Sequence, residues 1–129
     1  MRPSLRVSSL VLSAALLGCS EPTAPPTACN PFSQVELTVG FGPTPSISWK
    51  PNCLVGEIYV RRLDGPTSTT GTAIWFVLDP SNSIERGIIF GSLGTPSETL
   101  QPGQTYEVFV GVVVGGDASS TVGSVRFTR

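Results

Sequence analysis

The chain has 129 residues and a formal net charge of −1, from eight basic residues and nine acidic ones, and it has no histidine. The lack of histidine removes the commonest general base and the usual activator of a serine or cysteine nucleophile. Basic residues this few, with Arg61-Arg62 the one adjacent pair, argue against a groove that tracks nucleic-acid phosphates.

The first segment begins with Arg2 and Arg6 and continues as an apolar stretch over 7–17. At 11 residues it is too short to cross a hydrocarbon core, which needs about 20 helical residues. Its length suits the apolar region of a signal peptide. An ordinary secretory leader would end in small residues, whereas position 17 is Leu17. The run Leu16-Leu17-Gly18-Cys19 resembles the lipobox of bacterial lipoproteins. The resemblance implies cleavage before Cys19, with fatty acyl chains of the palmitate kind on its thiol and new amino group. Ser20, in place of Asp, implies delivery to the outer membrane. The expected location is therefore the bacterial cell envelope, with the bilayer as a partner through the lipid anchor. Each buried methylene contributes about 0.8 kcal/mol, and two or more chains hold stably where one does not. Removal of residues 1–18 leaves six basic and nine acidic residues, a net charge of −3.

Residues 19–31 carry the acylated cysteine and a proline-rich spacer, with Pro22, Pro25, Pro26 and Pro31 and no periodicity. Such a stretch is extended and semi-stiff, at about 3.1 Å per residue. Of the three cysteines, lipidation of Cys19 would leave the even pair Cys29 and Cys53. Beyond the inner membrane a disulfide persists, so a Cys29–Cys53 bridge is expected; two free buried thiols are the alternative. Two cysteines without histidine do not make a structural zinc site, and no metal or cofactor is expected.

From residue 32 onward, short β-type runs are separated by turn chemistry at regular spacing. Val35, Leu37 and Val39 alternate with polar residues and end at Gly40-Phe41-Gly42-Pro43. Ile47 and Trp49 alternate with Ser46, Ser48 and Lys50, up to Pro51-Asn52. Ile58 and Val60 alternate with Glu57, Tyr59 and Arg61, up to Asp64-Gly65-Pro66. The run 73–78 is apolar on both phases, and Asp79-Pro80-Ser81-Asn82 ends it. A short strand is expected over 87–91, around Ile88 and Phe90. Tyr106, Val108, Val110 and Val112 mark the longest strand and the centre of the core. Gly115-Gly116-Asp117 makes a turn, and Val125 and Phe127 lie on the last strand. No segment has a helical period.

Seven strands in about 100 residues suit an all-β immunoglobulin-like sandwich. Pro45-Ser46-Ile47-Ser48-Trp49 resembles the tryptophan-bearing second strand of fibronectin type III domains, and Ile58-Tyr59-Val60-Arg61-Arg62 their third strand. Leu100-Gln101-Pro102-Gly103-Gln104-Thr105-Tyr106 is similar to their connection into the sixth strand, and Val125-Arg126-Phe127 to the seventh. The resemblance implies a fibronectin type III-like fold over 32–129, with Tyr106 as the tyrosine-corner residue. The segment 72–91 departs from the family pattern, which leaves its strand pairing open. If strands run alternately up and down, Cys29 and Cys53 arrive at the same end, which suits a disulfide, whose Cα atoms must lie within about 7 Å. The same end would carry the loops after the second, fourth and sixth strands.

No catalytic residue emerges. There is no G-x-S-x-G elbow and no phosphate-binding Gly-Lys-Ser/Thr loop. Asp79, Glu85 and Asp117, with Asn82, fall in or beside loops at that common end. They read either as solvated acids or as a weak calcium site without pre-formed spacing. Trp49 and Tyr106 belong to the core. Trp75 and Phe109 are candidate binding-surface residues: Phe109 is on the outward phase of its strand, and the two-sided run at 73–78 must send either Trp75 with Val77, or Ile74 with Phe76, outward. Coverage by a neighbouring loop is the alternative. The run 108–114 is prone to strand association unless it lies centrally.

These readings lead to a lipid-anchored, non-enzymatic binding or structural module of the cell envelope, with an unknown protein or polysaccharide as partner and no nucleic acid. A carbohydrate-binding accessory module and a subunit of a larger envelope complex are the nearest alternatives. A glycosidase, which needs two positioned carboxyl groups in a cleft, is a remote third. The spacer enters at the end with the second–third strand loop, so the partner is expected at the opposite end or on a sheet face.

Overall fold

The computed structural model describes residues 24–129; the leader and Cys19 lie outside the described residues. Seven strands follow one another: β1 (Glu36–Val39), β2 (Ser46–Lys50), β3 (Glu57–Leu63), β4 (Gly71–Leu78), β5 (Ile88–Ile89), β6 (Thr105–Gly115) and β7 (Ala118–Thr128). Among the described residues there is no helix. The strands form two antiparallel sheets, ordered β1-β2-β5 and β4-β3-β6-β7. The chain is thus an all-β sandwich, as the two-residue alternation of its apolar positions dictates.

The inward phase of each strand supplies the core. Trp49, Ile47, Ile58, Val60, Tyr106, Val108, Val110 and Val122 are all within 1% of complete burial. Truncating a large aromatic at such a position costs about 3–5 kcal/mol. Trp49 carries a polar atom into the interior, and its Nε1 donates to the carbonyl of Cys53 at 2.7 Å. Tyr106 stacks on Phe127, with centroids 5.5 Å apart, and its hydroxyl accepts the amide of Gln101 at 2.7 Å. Both polar handles are therefore satisfied inside the sandwich. The valine-rich β6 lies between β3 and β7, so its backbone is paired on both sides and its association-prone run is shielded.

Three features differ from the sequence reading. β5 is two residues long, and Phe90 leaves the strand while its ring stays in the core. β7, at 11 residues, is as long as β6, because the hairpin turn at Gly116-Asp117 carries their pairing back to Ala118, through two register shifts. Gly116 has φ 55°, a left-handed conformation that glycine adopts without steric cost. The folded unit also starts earlier than residue 32. The amide of Cys29 donates to Leu54 at 2.7 Å, and that of Leu54 to Thr27 at 2.8 Å, as a short parallel bridge. The last residues assigned to the spacer are therefore part of the sandwich.

Cys29 and Cys53 are joined in a disulfide with a Cα–Cα distance of 4.8 Å. It is buried beside Trp49 and holds the entering chain against the β2–β3 loop. From there the chain crosses to the other sheet, where Val35 donates its amide to Val122 at 2.8 Å. Gly123 permits this crossing: a Cβ there would run into the side chains of Leu37 and Val35.

Removing a cross-link that closes a loop of about 25 residues should destabilise the fold by about 3 kcal/mol. Urea titration of a Cys29→Ala/Cys53→Ala chain against the parent checks this. An unchanged midpoint would show that the bridge does not constrain the unfolded chain.

Candidate functional site

The two outer faces of the sandwich differ in chemistry. On the smaller sheet, outward positions pair Glu36 with Lys50 and Thr38 with Ser48, leaving Ile89 as its exposed apolar side chain. The outer face of the larger sheet carries a row of aromatic rings. Phe76 on β4 lies opposite Tyr59 on β3, and Tyr59 lies opposite Phe109 on β6. The Tyr59 centroid is 6.4 Å from that of Phe76, edge to face, and 5.8 Å from that of Phe109. Phe76 is 53% exposed and its neighbour Leu78 45%, so the row opens towards the β4 edge.

A β-bulge adjoins this row. Along β3, Val60 pairs with Trp75 but the next residue, Arg61, pairs with Ala73, which leaves Ile74 as an extra residue in β4. Ile74 and Trp75 both enter the core, and the alternation then resumes with Phe76 outward and Val77 inward. Of the two outward pairs that the run allows, neither forms: Phe76 points out without Ile74. Trp75, expected on the binding surface, is 3% exposed. Its ring packs on Phe90 with centroids 5.1 Å apart, and its Nε1 donates to the carbonyl of Gly94 at 2.9 Å. The β5–β6 connection covers this edge of β4, with the Ser97 amide on the carbonyl of Ile74 at 2.8 Å. Trp75 is therefore a core residue, and Phe109 is half-buried on the outer face.

Next to the aromatic row lies a charged one. Glu107, 9% exposed, sits between Arg61 on β3 and Arg126 on β7. Its Oε1 accepts from Arg61 Nε at 3.0 Å and Nη2 at 2.5 Å, and its Oε2 from Arg126 Nε at 3.2 Å. Hydrogen bonds between ionised partners are about twice as strong as neutral ones, so this triad stiffens the centre of the sheet. The Arg61 guanidinium also lies over the Phe109 ring, 5.1 Å from its centroid.

Glu57, Tyr59, Arg61, Phe109 and Thr121 line an open hollow of about 260 Å³ on this face. Gly111, between Glu57 and Thr121, is buried: a Cβ there would stand 3.1 Å from the Ser120 carbonyl oxygen and 3.6 Å from Glu57 Oε2. The sequence placed Tyr59 on the outward phase, but its pairing with Phe76 depends on the β3–β4 register, which no local pattern announces. At the end away from the Cys29–Cys53 bridge, Pro43, Phe90, Pro96 and Thr99 help to line a second groove of about 320 Å³.

Of the loop acids, Asp79 has a structural role, while Glu85 and Asp117 are exposed. Asp79 ends β4, and its Oδ1 accepts from the Ser81 hydroxyl at 2.5 Å and amide at 3.0 Å. Its Oδ2 accepts from the Ser83 amide at 3.1 Å and from the Ser83 hydroxyl. The side chain of Asn82 accepts the Val113 amide at 2.8 Å and donates to the Val113 carbonyl at 2.9 Å, so it pairs with β6 as a strand would. Among the described residues, no three of Asp, Glu and Cys converge as a metal-holding group.

The hydrogen bonds from the Ser81 hydroxyl, then the Ser83 hydroxyl, hold the Asp79 carboxyl down at about 2, against the ordinary 3.8. A depressed carboxylate stabilises the folded loop fully above its ordinary value and loses that effect as pH falls through about 2. Carbon-detected NMR should place the Asp79 midpoint near 2, and Ser81→Ala/Ser83→Ala should move it back towards 3.8. A midpoint that ignores both serines would refute their role. Comparison of the chain with family models, with curated proteins and with solved structures finds no match.

Proposed function

We propose that the chain is a lipid-anchored, non-enzymatic binding module of the bacterial cell envelope, built on a fibronectin type III-like sandwich. The observation that carries the binding role is the aromatic row Phe76–Tyr59–Phe109 on an outer sheet face. A face needed only for packing would be polar outside, as the smaller sheet is. Phe76 and Leu78 are exposed beside the half-buried Tyr59 and Phe109, and apolar groups gathered in this way support a recognition surface.

The family reading has support from topology. β4 pairs with β3 and not with β5. That excludes the constant-type immunoglobulin order, in which the fourth strand joins the first, second and fifth. The buried Trp49 on the second strand and the Tyr106 hydroxyl on the backbone of Gln101 fit the family pattern read from the sequence. The anchor reading rests on the lipobox-like Leu16-Leu17-Gly18-Cys19. It accords with an entering chain clamped to one end of the sandwich by Cys29–Cys53. With that end turned towards the bilayer, a sheet face stands sideways and stays accessible. Binding then proceeds by rigid presentation, because the paired central strands fix the ring positions.

Two measurements separate the parts of this reading. Mass spectrometry of the protein from cells should find an acylated Cys19 at the mature N-terminus, and Cys19→Ala should release the protein from membranes. An unmodified Cys19 would remove the anchor. For the binding face, Tyr59 is a natural reporter, since the other of the two tyrosines, Tyr106, is 1% exposed. Iodination of Tyr59 should be strongly suppressed in intact envelopes compared with detergent-solubilised protein, while acylation of Lys50 on the opposite sheet is unchanged. Equal iodination in both states would count against an occupied face.

A further inference from the structure

We propose that the partner on the aromatic face is a polypeptide, an extended segment of which adds as a strand to the free edge of β4 at Phe76 and Leu78. This rests on the binding role of that face and names the chemical class of its partner.

The backbone carries the first argument. β4 is an edge of the larger sheet, with β3 as its neighbour. The Asp79 amide donates to the Gly56 carbonyl at 2.7 Å, on the β3 side. Backbone groups alternate sides along a strand. In this register Val77 therefore bonds towards Ile58, while Phe76 and Leu78 turn their N–H and C=O groups away from the sheet. The Ile74 carbonyl, which accepts from Ser97, belongs to the same outward set. The β5–β6 connection thus seals the edge as far as Ile74. Among the described residues, Phe76 and Leu78 have no backbone partner on that side. A donor and an acceptor side by side on every second residue, about 6.8 Å apart, is the pattern that another extended chain matches.

The other edges are guarded. β5 has two residues, β1 has four and carries Glu36, and β7 already receives the Val35 amide. β4 has eight residues without a proline or a charge. Its bulge interrupts pairing at Ile74, but Phe76 and Leu78 lie beyond it in regular register. Sheet edges are normally blunted by short length, charge or proline, and this stretch has none of the three.

The side chains agree with the backbone. An antiparallel segment would place the residues that exchange hydrogen bonds with Phe76 and Leu78 directly beside these exposed side chains, and so extend the row Phe109–Tyr59–Phe76 by one strand. Its inward residues would have room over a hollow of about 510 Å³, which has Asp79, Ile84, Ile88 and Leu93 in its wall. Two copies of the chain paired antiparallel about Val77 would satisfy the same groups. Their Cys29 ends would then point in opposite directions, against anchorage of both in one bilayer. A separate protein meets no such constraint.

The test uses the detergent-solubilised full chain and the synthetic peptide acetyl-Lys-Val-Thr-Val-Thr-Val-Lys-amide, whose valines take the places opposite Phe76 and Leu78. Amide exchange is followed by NMR. In the chain alone, Phe76 and Leu78 should exchange fast and Val77 slowly; excess peptide should slow Phe76 and Leu78 about tenfold. N-methylation of the peptide at its valines, whose N–H groups face β4, should abolish the slowing, and N-methylation at its threonines should preserve it. Leu78→Pro removes an outward N–H without breaking the ladder to β3 and should abolish the slowing at Phe76. If that variant fails to fold, Phe76→Lys places a charge on the edge and should weaken the slowing at Leu78. Slow exchange of Phe76 and Leu78 in the chain alone, no slowing by the peptide, or equal slowing by both N-methylated forms would each overturn the inference. Slowing that grows with protein concentration, together with a dimer in sedimentation, would give the edge to a second copy and overturn it equally. Tyr59 shielded in envelopes without any effect of the peptide would leave the binding face standing and remove the added strand.

Discussion

A β-strand offers only every second side chain to the core, and β4 departs from that rule at one place, beside the outer aromatic row. The extra residue at Ile74 allows two consecutive bulky groups to turn inward. Without it, burying Trp75 would send Ile74 to the outer face. With it, the core gains both, and Phe76 stands directly beside Tyr59. One residue of slip in pairing exchanges the two faces of every residue beyond it, so the bulge sets the composition of both. The long β5–β6 connection completes the arrangement by accepting the Trp75 indole N–H and sealing the sheet edge.

The fold class was legible because it rests on period-two alternation, which β1, β2, β3 and β6 follow closely. Turn chemistry was equally plain at Gly40–Pro43, Asp64–Pro66 and Gly115–Asp117. The cysteine pairing also followed, since an up-and-down chain returns Cys53 to the end that Cys29 occupies. What could not be read was long-range register. Ala73 to Leu78 is apolar on both phases, so its orientation is decided by partners distant in sequence. Phe109 could be placed outward from its own strand, whereas the hollow that it lines is assembled from three strands, with Glu57 and Thr121 brought to it from β3 and β7.

The charged row beside the rings serves the same face. A carboxylate as covered as Glu107 needs partners on both sides, and the two guanidiniums supply them from separate strands. This fastens β3, β6 and β7 from outside while the valines fasten them from within. The platform under the aromatic groups is therefore held from both surfaces, and the ring spacing is a property of the sheet and not of mobile loops. On the proposed reading, recognition then needs little ordering of the protein when a ligand arrives.

The bridge between Cys29 and Cys53 has a mechanical consequence. Tension arriving along residues 24–28 passes through the sulfur atoms directly to Cys53, and from there into β3. The intervening stretch, which includes β1 and β2, forms a covalently closed bight that carries none of the pull. A module tugged from its leading end would therefore not peel open strand by strand from β1, and its extension would be shortened by the length of that slack loop.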